Sequence, residues 1–412
     1  MKQRTSRFSV AVGWMTVWST ACSAPPLVQA DASVIQSDSG VTQADSGVIP
    51  ATVALAAGNR HAIVIKNDLT VWSWGQDGEG QLGNGSQIDG TAPVQVAGLA
   101  DIRGVAGGHQ HTLVLKADGT VAAVGGNPFG QLGNGTLDSS LTSVAVSNLT
   151  DVKSIAAKGH HSYAVKKDGT VWAWGIDAQG RTGIKTPEPL APDTLTSVQS
   201  VVSGLFQAAA IKSDRTLWMW GSNSHGELGV GTTDPVDGGV PVQVKGPGGS
   251  ALTDVVAVAC GFQHALAVRA DGTVWAWGAN GFGQLGDGTL EGRAAPVQVA
   301  GVSQAKLVAA GYGHSVAVTA DGHVFAWGLN DVGQLGNGEM GFDDAGVELY
   351  KASPSLVPGL QSVVAITAGS TFTVVLLEDG SVRAWGENAS GQLGDGTTVD
   401  SASPHDVSGF TR

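Results

Sequence analysis

The strongest constraint on this chain is a unit of about fifty residues that recurs seven times. Each copy has a frame Gly, an Asp seven residues before it and a second Gly eight residues after it. A register this rigid indicates an array of one supersecondary module, in which each copy buries its apolar face against the next. The frame glycines are Gly75, Gly125, Gly175, Gly221, Gly278, Gly328 and Gly386.

Each unit has the pattern of short antiparallel strands. In the fifth copy, residues 264–269 (HALAVR) alternate apolar and polar side chains, which is strand periodicity. Asp271 and Gly272 supply a hairpin turn, and TVWAWG returns as a second strand. A Gly-rich loop leads to two weaker strands, so about four strands form per unit. The predicted fold class is all-β, a seven-bladed β-propeller over residues 51–412, with a linear β-solenoid as the alternative.

Tryptophan is the most regular residue of the array. Ten of the twelve lie in the repeats, at the positions three residues and one residue before the frame Gly. A position filled in one unit after another predicts packing between sheets, since a ligand pocket would recruit an aromatic side chain once or twice. The second unit has Ala122 and Val124 there, so its blade is expected to be the least tightly packed.

The N-terminus is typical of an export signal. Residues 1–21 begin with three basic side chains, and the apolar run that follows, 8–18, is too short to span a bilayer. The tetrad that ends at Cys22 resembles the lipobox of bacterial lipoproteins, which predicts lipidation of Cys22. Ser19 stands where that family usually has Leu, so ordinary cleavage and secretion is the alternative. Because Ser23 and not Asp follows the Cys, the family's sorting rule predicts the outer membrane or cell surface.

Composition limits the partners. Residues 22–50 are rich in Ala, Ser, Asp and Gln, which predicts a disordered tether. The net charge of −13 makes the chain a poor binder of polyanions, so we expect no nucleic acid partner. Membrane contact is expected only through the N-terminal lipid. Cys22 and Cys260 form neither a disulfide framework nor a metal-ligand spacing.

The signatures G-x-x-H, D-G-T-V-W-x-W-G and G-Q-L-G-x-G resemble the repeats of the regulator of chromosome condensation (RCC1) family over residues 51–412. The family's members are seven-bladed propellers with dissimilar roles. These include nucleotide exchange on the GTPase Ran, ultraviolet sensing in plants and bacterial inhibition of β-lactamase. The resemblance therefore implies the fold and implies loops that bind another macromolecule. It does not imply any one activity.

A repeated histidine is the strongest candidate for chemistry. It occupies the end of G-x-x-H in five units, while Gln207 and Phe372 replace it in the other two. Equivalent positions on a ring lie too far apart to share one metal ion, and Phe372 could not serve a proton relay. We therefore expect these histidines to be structural, each bonded to backbone, and expect no metal, cofactor or catalytic residue. They are His61, His111, His161, His264 and His314.

The positions that vary between units point to a binding surface. In an antiparallel blade, the G-x-x-H loop and the W-G-x-N loop emerge on one face, where binding residues are usually found. Units four to six place large apolar side chains there, which is typical of a protein interface. The alternative is that they only cover the rim. The predicted partner-binding residues are Leu205, Phe206, Phe262, Tyr312 and Phe282.

The sequence therefore predicts an exported bacterial propeller that acts as a monomeric, non-catalytic protein-binding module on the cell envelope. Its protein partner is not identified by the sequence. The alternatives are a secreted enzyme inhibitor of the β-lactamase-inhibitor type and a guanine-nucleotide exchange factor. The export signal argues against the exchange factor.

Overall fold

The chain folds as a closed ring of seven antiparallel β-sheets, which we call blades one to seven. The computed structural model describes Cys22–Ser23 and residues 52–410, apart from 177–183, 191–192, 236–238, 344–345 and 347. Each blade takes its four main strands from one repeat, and the inner strand of blade seven contacts that of blade one. The predicted all-β propeller is confirmed, and the linear solenoid is wrong.

The strands of each blade run from the ring's centre outward in chain order. The inner strands are β2 (Thr52–Ala57), β6 (Ile102–Gly107), β10 (Val152–Lys158), β14 (Val198–Ser203), β18 (Val255–Cys260), β22 (Ala305–Ala310) and β26 (Val363–Ala368). The second strands, which begin at the repeated histidine position, are β3 (His61–Lys66), β7 (His111–Lys116), β11 (His161–Lys166), β15 (Gln207–Lys212), β19 (His264–Arg269), β23 (His314–Thr319) and β27 (Phe372–Leu377).

The third strands end at or just after the frame Gly, and the outer strands are the most exposed. The third strands are β4 (Val71–Gly75), β8 (Val121–Gly125), β12 (Val171–Gly175), β16 (Leu217–Gly221), β20 (Val274–Gly278), β24 (Val324–Leu329) and β28 (Val382–Gly386). The outer strands are β5 (Gly90–Gln95), β9 (Ser140–Ala145), β13 (Ile184–Pro189), β17 (Val242–Gln243), β21 (Arg293–Gln298), β25 (Tyr350–Leu356) and β29 (Ser401–Asp406). A short 3-10 turn lies at Pro247–Gly249.

One short strand comes from the segment predicted to be a tether. Strand β1 (Cys22–Ser23) pairs antiparallel with Ala309 and Ala310 of the inner strand of blade six. The rest of that segment, and the predicted signal peptide at 1–21, lie outside the described residues. The described residues contain no helix with the length and apolarity needed to cross a bilayer.

The Trp directly before the frame Gly joins neighbouring blades. These indoles are buried, and five of them donate Nε1–H to a backbone carbonyl in the G-Q-L-G loop of the preceding blade at 2.7 to 3.0 Å. The pairs are Trp74 with Gln392, Trp174 with Gln131, Trp277 with Glu227, Trp327 with Gln284, and Trp385 with Gln334. Burial of an indole with its N–H satisfied is strongly stabilising.

This contact explains the second Gly of the frame. A Cβ on Gly394 would lie 2.7 Å from Trp74 Nε1. The equivalent glycines of four other blades are similarly close to the indole of the next blade: Gly133 to Trp174, Gly229 to Trp277, Gly286 to Trp327, and Gly336 to Trp385. Gly394 also has φ of +68°, a conformation that side chains disfavour. The eight-residue spacing therefore brings a bare backbone to the next blade's Trp.

The first Trp of each pair has a different role. Trp72, Trp172, Trp218 and Trp275 are half-buried, and each donates Nε1–H to the Thr of its own Asp-x-Thr turn at 3.0 to 3.2 Å. In blade two, Val124 is buried at the place of the second Trp and brings no indole donor to blade one. Cys260 is a buried free thiol on the inner strand of blade five.

Candidate partner-binding surface

Two loops of every blade meet on one face of the ring, as predicted. The residue after the frame Gly donates its N–H to the carbonyl of the residue before the repeated histidine, as in Ala279 to Gln263 at 2.7 Å. The same bond joins Gln76 to Arg60 and Leu329 to Gly313, both at 2.8 Å. We call this side of the ring the loop face. The Asp-Gly turns connect the opposite ends of the same strands.

The repeated histidines belong to chains of hydrogen bonds between blades. His61 Nε2 lies 3.0 Å from Thr112 Oγ1, which donates to the Gln81 carbonyl at 2.8 Å. Because the hydroxyl has one proton and a carbonyl only accepts, His61 Nε2 must be the donor. The same chain recurs as His111–Ser162–Gln131, His264–Ser315–Gln284 and His314–Thr373–Gln334. We expected backbone partners; the hydroxyl takes their place because a Ser or Thr follows the histidine position in the next blade.

These imidazoles are neutral in the folded protein. Burial lowers the pKa of His61, His264 and His314 to about 3, and lowers the pKa of His111 well below its usual value. A group with such a pKa holds no charge near neutral pH. The part of the chain that the structure describes contains no cluster of three or more His, Cys, Asp or Glu side chains suited to a metal ion.

His161 departs from this pattern because Lys158 replaces a glycine. In the other blades a Gly precedes the histidine position by three residues, and a Cβ on Gly58 would lie 2.1 Å from the His61 ring. Lys158 is fully buried and excludes that arrangement. His161 Nδ1 instead lies 2.7 Å from the Ile176 carbonyl oxygen, and His161 Nε2 lies 3.1 Å from the Leu205 carbonyl oxygen. The sequence does show this substitution, since Lys-Gly-His-His stands in a frame that elsewhere begins with Gly.

Four of the predicted binding residues lie together on the loop face. Ring centroids are 5.6 Å apart for Phe206 and Phe262, 4.5 Å for Phe262 and Tyr312, and 6.4 Å for Phe282 and Tyr312. The first two distances link three consecutive blades. Phe206 is 46% exposed and the other three rings are half-buried. We call these four rings the aromatic surface.

Leu205 does not belong to the aromatic surface, which corrects the sequence prediction. It is 7% exposed, and its Cδ1 packs beside Gly159 of blade three. The first variable residue of G-x-x-H lies at the inner rim, where its N–H bonds to the loop of the next blade, as in Phe262 to Gly311 and Tyr312 to Ser370. An aromatic ring is long enough to emerge from that position, whereas the Leu205 side chain packs against its neighbour.

A cavity adjoins the aromatic surface between blades four and five. Its volume is about 580 Å³, and its lining includes His225, Gln263, Asn280, Phe282 and Leu290. His225 is exposed, and its Nδ1 lies 3.5 Å from Oε1 of the buried Glu227. The sequence prediction missed this cavity. The available signal was G-E-L-G in unit four, where five of the six other units have Gln in place of Glu227.

The loop of blade six that follows β24 forms the other edge of the aromatic surface. It turns back on itself, with a β-bridge between Phe342 and Glu348 and a bond from the Leu349 N–H to the Gly341 carbonyl at 3.0 Å. Phe342 is 63% exposed. Burial, and then the charge of Glu348, raise the pKa of the Tyr312 phenol.

Comparison with protein-family models identifies the family. Residues 184–412 match the RCC1-like domain, and residues 53–81, 70–115, 102–131 and 152–181 match RCC1 repeats. The chain belongs to the RCC1 repeat family. The matches lie in both halves of the ring, so this RCC1-type propeller shows the family's repeats from blade one to blade seven.

Curated relatives match this RCC1-type propeller over part of its length. The human E3 ubiquitin-protein ligase HERC2 is 33% identical over 148 residues, which are 35% of this chain and 3% of HERC2. The Arabidopsis thaliana ultraviolet-B receptor UVR8 is 32% identical over 163 residues, 39% of this chain and 35% of the receptor. The matched segment is thus well under two thirds of either relative.

Solved structures share the fold. Prp20p from Saccharomyces cerevisiae has a TM-score of 0.70 at 22% identity, with 81% of this chain and 84% of that chain covered. Yeast Prp20 bound to Kap60 gives 0.72 at 20% identity, covering 90% and 91%. Human WBSCR16 gives 0.71 at 22% identity, covering 82% and 94%.

Proposed function

We propose that this RCC1-type propeller is a non-catalytic module that binds a protein through the aromatic surface. The observation that carries the proposal is the continuous contact of Phe206, Phe262 and Tyr312 across three blades of the loop face. Aromatic side chains at the centre of a contact region supply much of the binding free energy of protein interfaces. Their loops are held by a rigid ring of strands, which is the usual setting of binding residues.

The exposed part of each ring can contribute to binding. If a partner covers about 50 Å² of each ring, the hydrophobic effect at about 25 cal/mol per Å² contributes about 1.2 kcal/mol for each one. The cavity beside Phe282 adds a recess into which a partner side chain can insert. Pockets of this kind next to exposed rings are typical of the anchor points of interfaces.

Other features support a scaffold and not a catalyst. Four repeat histidines use Nε2 to join blades, and the pKa values of His61, His264 and His314, at about 3, leave them neutral. A general base needs a pKa closer to the working pH. The yeast relative Prp20p is described as binding Gsp1p and histones, and a second structure holds it with Kap60. We extend to this chain only the idea of a propeller that docks on proteins.

The site of action proposed from the N-terminus is the cell envelope. Acylation of Cys22 would anchor the ring to a membrane, while ordinary cleavage would release it. Intact-mass measurement of the mature protein distinguishes these outcomes, because a diacylglyceryl group on Cys22 adds a lipid mass, and an unmodified Met1 start would contradict export.

The binding proposal is tested by affinity capture with matched variants. The full chain with Phe206→Ala, Phe262→Ala and Tyr312→Ala should lose the protein that the wild type captures from the native envelope. The control is Gln110→Ala with Phe129→Ala, since Gln110 and Phe129 occupy loop-face positions on blade two. Loss in the first variant and retention in the control supports the surface. Equal capture by both would overturn it, and thermal unfolding shows whether each variant is folded.

A further inference from the structure

The blade-six edge of the aromatic surface carries an excess of negative charge. Residues 330–349 contain Asp331, Glu339, Asp343, Asp344 and Glu348 and no Lys or Arg. The nearest base along the chain, Lys351, pairs with Glu339 at 2.9 Å. The segment that borders the aromatic surface on this side is thus acidic in sequence.

Glu348 and Asp331 are the carboxylates that matter most. The Leu329 N–H donates to the carbonyl of Gly313, the neighbour of Tyr312, at 2.8 Å, and the Asn330 N–H donates to the Leu349 carbonyl at 2.7 Å. Asp331 and Glu348 are the next residues on either side of this second bond, so both lie on the part of the loop nearest to Tyr312. Burial, and then the charge of Asp331, raise the pKa of Glu348. Asp331 accepts a bond from Gln334 Nε2 at 2.7 Å. In the described part of the chain, neither carboxylate has a Lys, Arg or His partner within 4.0 Å. Two partly desolvated like charges favour the arrival of a cation.

The rings beside these carboxylates favour the same kind of ligand. Phe262 and Tyr312 are stacked at 30° between their planes, and Phe282 approaches Tyr312 from blade five. A cation above an aromatic face is attracted by the ring's quadrupole. A guanidinium group is planar, packs on aromatic faces and can donate to two carboxylates at once, which an ammonium does less well.

We propose that the aromatic surface recognises an arginine side chain of its protein partner, with the guanidinium packed on Tyr312 and paired with Glu348 and Asp331. This inference rests on the proposed function and names the chemistry of the partner. The aromatic surface would supply most of the affinity, while the carboxylates would select a basic segment. An acidic segment would be repelled, because like charges placed across an interface disfavour binding.

The direct test uses two blocked pentapeptides, Gly-Leu-Arg-Leu-Gly and Gly-Leu-Gln-Leu-Gly. Each is titrated into the full chain while the ring resonances of Tyr312 are followed by nuclear magnetic resonance. We expect the Arg peptide to bind at least about tenfold more tightly than the Gln peptide, a difference of about 1.4 kcal/mol. Equal binding of the two peptides, or no shift with either at millimolar concentrations, would overturn the inference.

A charge-matched pair of variants separates local recognition from the general field of an acidic protein. Glu348→Gln should weaken the Arg peptide roughly fivefold or more, with little effect on the Gln peptide. Glu291→Gln removes one charge from the loop after β20, where Glu291 is mostly exposed and lies 3.4 Å from Arg293. It should change binding less than twofold, since an exposed charge is screened by salt. Equal effects of the two variants would contradict a specific site.

The same variants distinguish failure of this inference from failure of the proposed function. If capture of the native partner is lost with the three alanine substitutions but unaffected by Glu348→Gln, the docking surface stands and the arginine inference falls. If capture survives both, the proposed function itself fails. Tyr312→Phe keeps the ring and should retain the preference for the Arg peptide.

Discussion

Trp74 Nε1 donates a hydrogen bond of 2.9 Å to the carbonyl of Gln392, although the two residues are 318 positions apart. This is the same bond that joins blades within the chain, and here it joins the first blade to the last. Asn59 and Ser370 add a second link, because the Ser370 N–H donates to the Asn59 carbonyl at 3.0 Å. The ring therefore closes through the ordinary contacts between blades, and among the described residues no strand is shared by both ends.

The closing contact predicts a difference between two glycines of the same loop. Gly394 and Gly396 both have positive φ, at +68° and +88°, but only the Cβ of Gly394 would meet Trp74. Both substitutions with Ala carry backbone strain, so their difference isolates the clash. We expect Gly394→Ala to lower the free energy of unfolding by about 1–3 kcal/mol more than Gly396→Ala. Urea unfolding measures both, and equal values would mean that the Trp74 contact does not limit stability.

Asp77 predicts an unusual dependence of stability on pH. In five other blades the equivalent residue is Asn, whose Nδ2 donates to backbone carbonyls of its loop. A carboxylate cannot donate there, whereas a protonated carboxyl can. Burial is the main cause that raises the pKa of Asp77 to about 6. The folded state therefore holds this proton more tightly than the unfolded state, and the stabilisation present below about pH 4 is lost as pH rises through about 6.

The substitution Asp77→Asn supplies the missing donor. It should raise the free energy of unfolding at pH 7 by roughly 1–2 kcal/mol and should have little effect at pH 4. The difference between variant and wild type, measured by urea unfolding across this range, isolates the one group. A difference that does not change with pH would contradict a proton on Asp77.

The repeat histidines predict the opposite trend. The pKa of His264 is lowered from 6.5 to about 3, chiefly by burial, so the unfolded state binds protons more readily. Its stabilisation is present above about pH 6.5 and is lost as pH falls towards 3. Between pH 7 and pH 4.5 this amounts to about 2–3 kcal/mol for one histidine.

His264→Gln tests this trend with a residue that the fold already accepts. Gln207 occupies the same place in blade four, where its Nε2 donates to the Gly261 carbonyl at 3.1 Å. The variant should lose less stability than the wild type between pH 7 and pH 4.5. A parallel loss in both proteins would show that His264 does not remain neutral in the folded state.

The sequence predicted the ring and most of the aromatic surface because both follow from the repeat. A fixed register places Phe206, Phe262 and Tyr312 on the same loops of consecutive blades, so their proximity needs no further information. Leu205 could not be placed in this way, since its burial depends on how its side chain packs against Gly159. The cavity beside His225 forms between two loops of adjacent blades, and loop contacts of that kind are not encoded by the repeat.

Two residues that differ from the repeat pattern were visible in the sequence, but only the structure explains their effects. Lys158 stands where other units have Gly, yet the cost of that change appears only when the clash at Gly58 is known. Asp77 stands where five other units have Asn, and its significance depends on the carbonyls that face the amide in those blades. Repeats therefore reveal which positions differ, while contacts between atoms explain what each difference does.

The most direct test of the central claim is a photo-crosslink from the aromatic surface to the partner. A photoreactive phenylalanine analogue is placed at Phe262 in one variant and at Phe129 in another, and both are irradiated with the native envelope. We predict a covalent adduct of one defined protein from position 262 and none from 129, where the ring packs against His160 at 4.4 Å on another part of the loop face. The same adduct from both positions, or an adduct from 129 alone, would contradict binding through the aromatic surface.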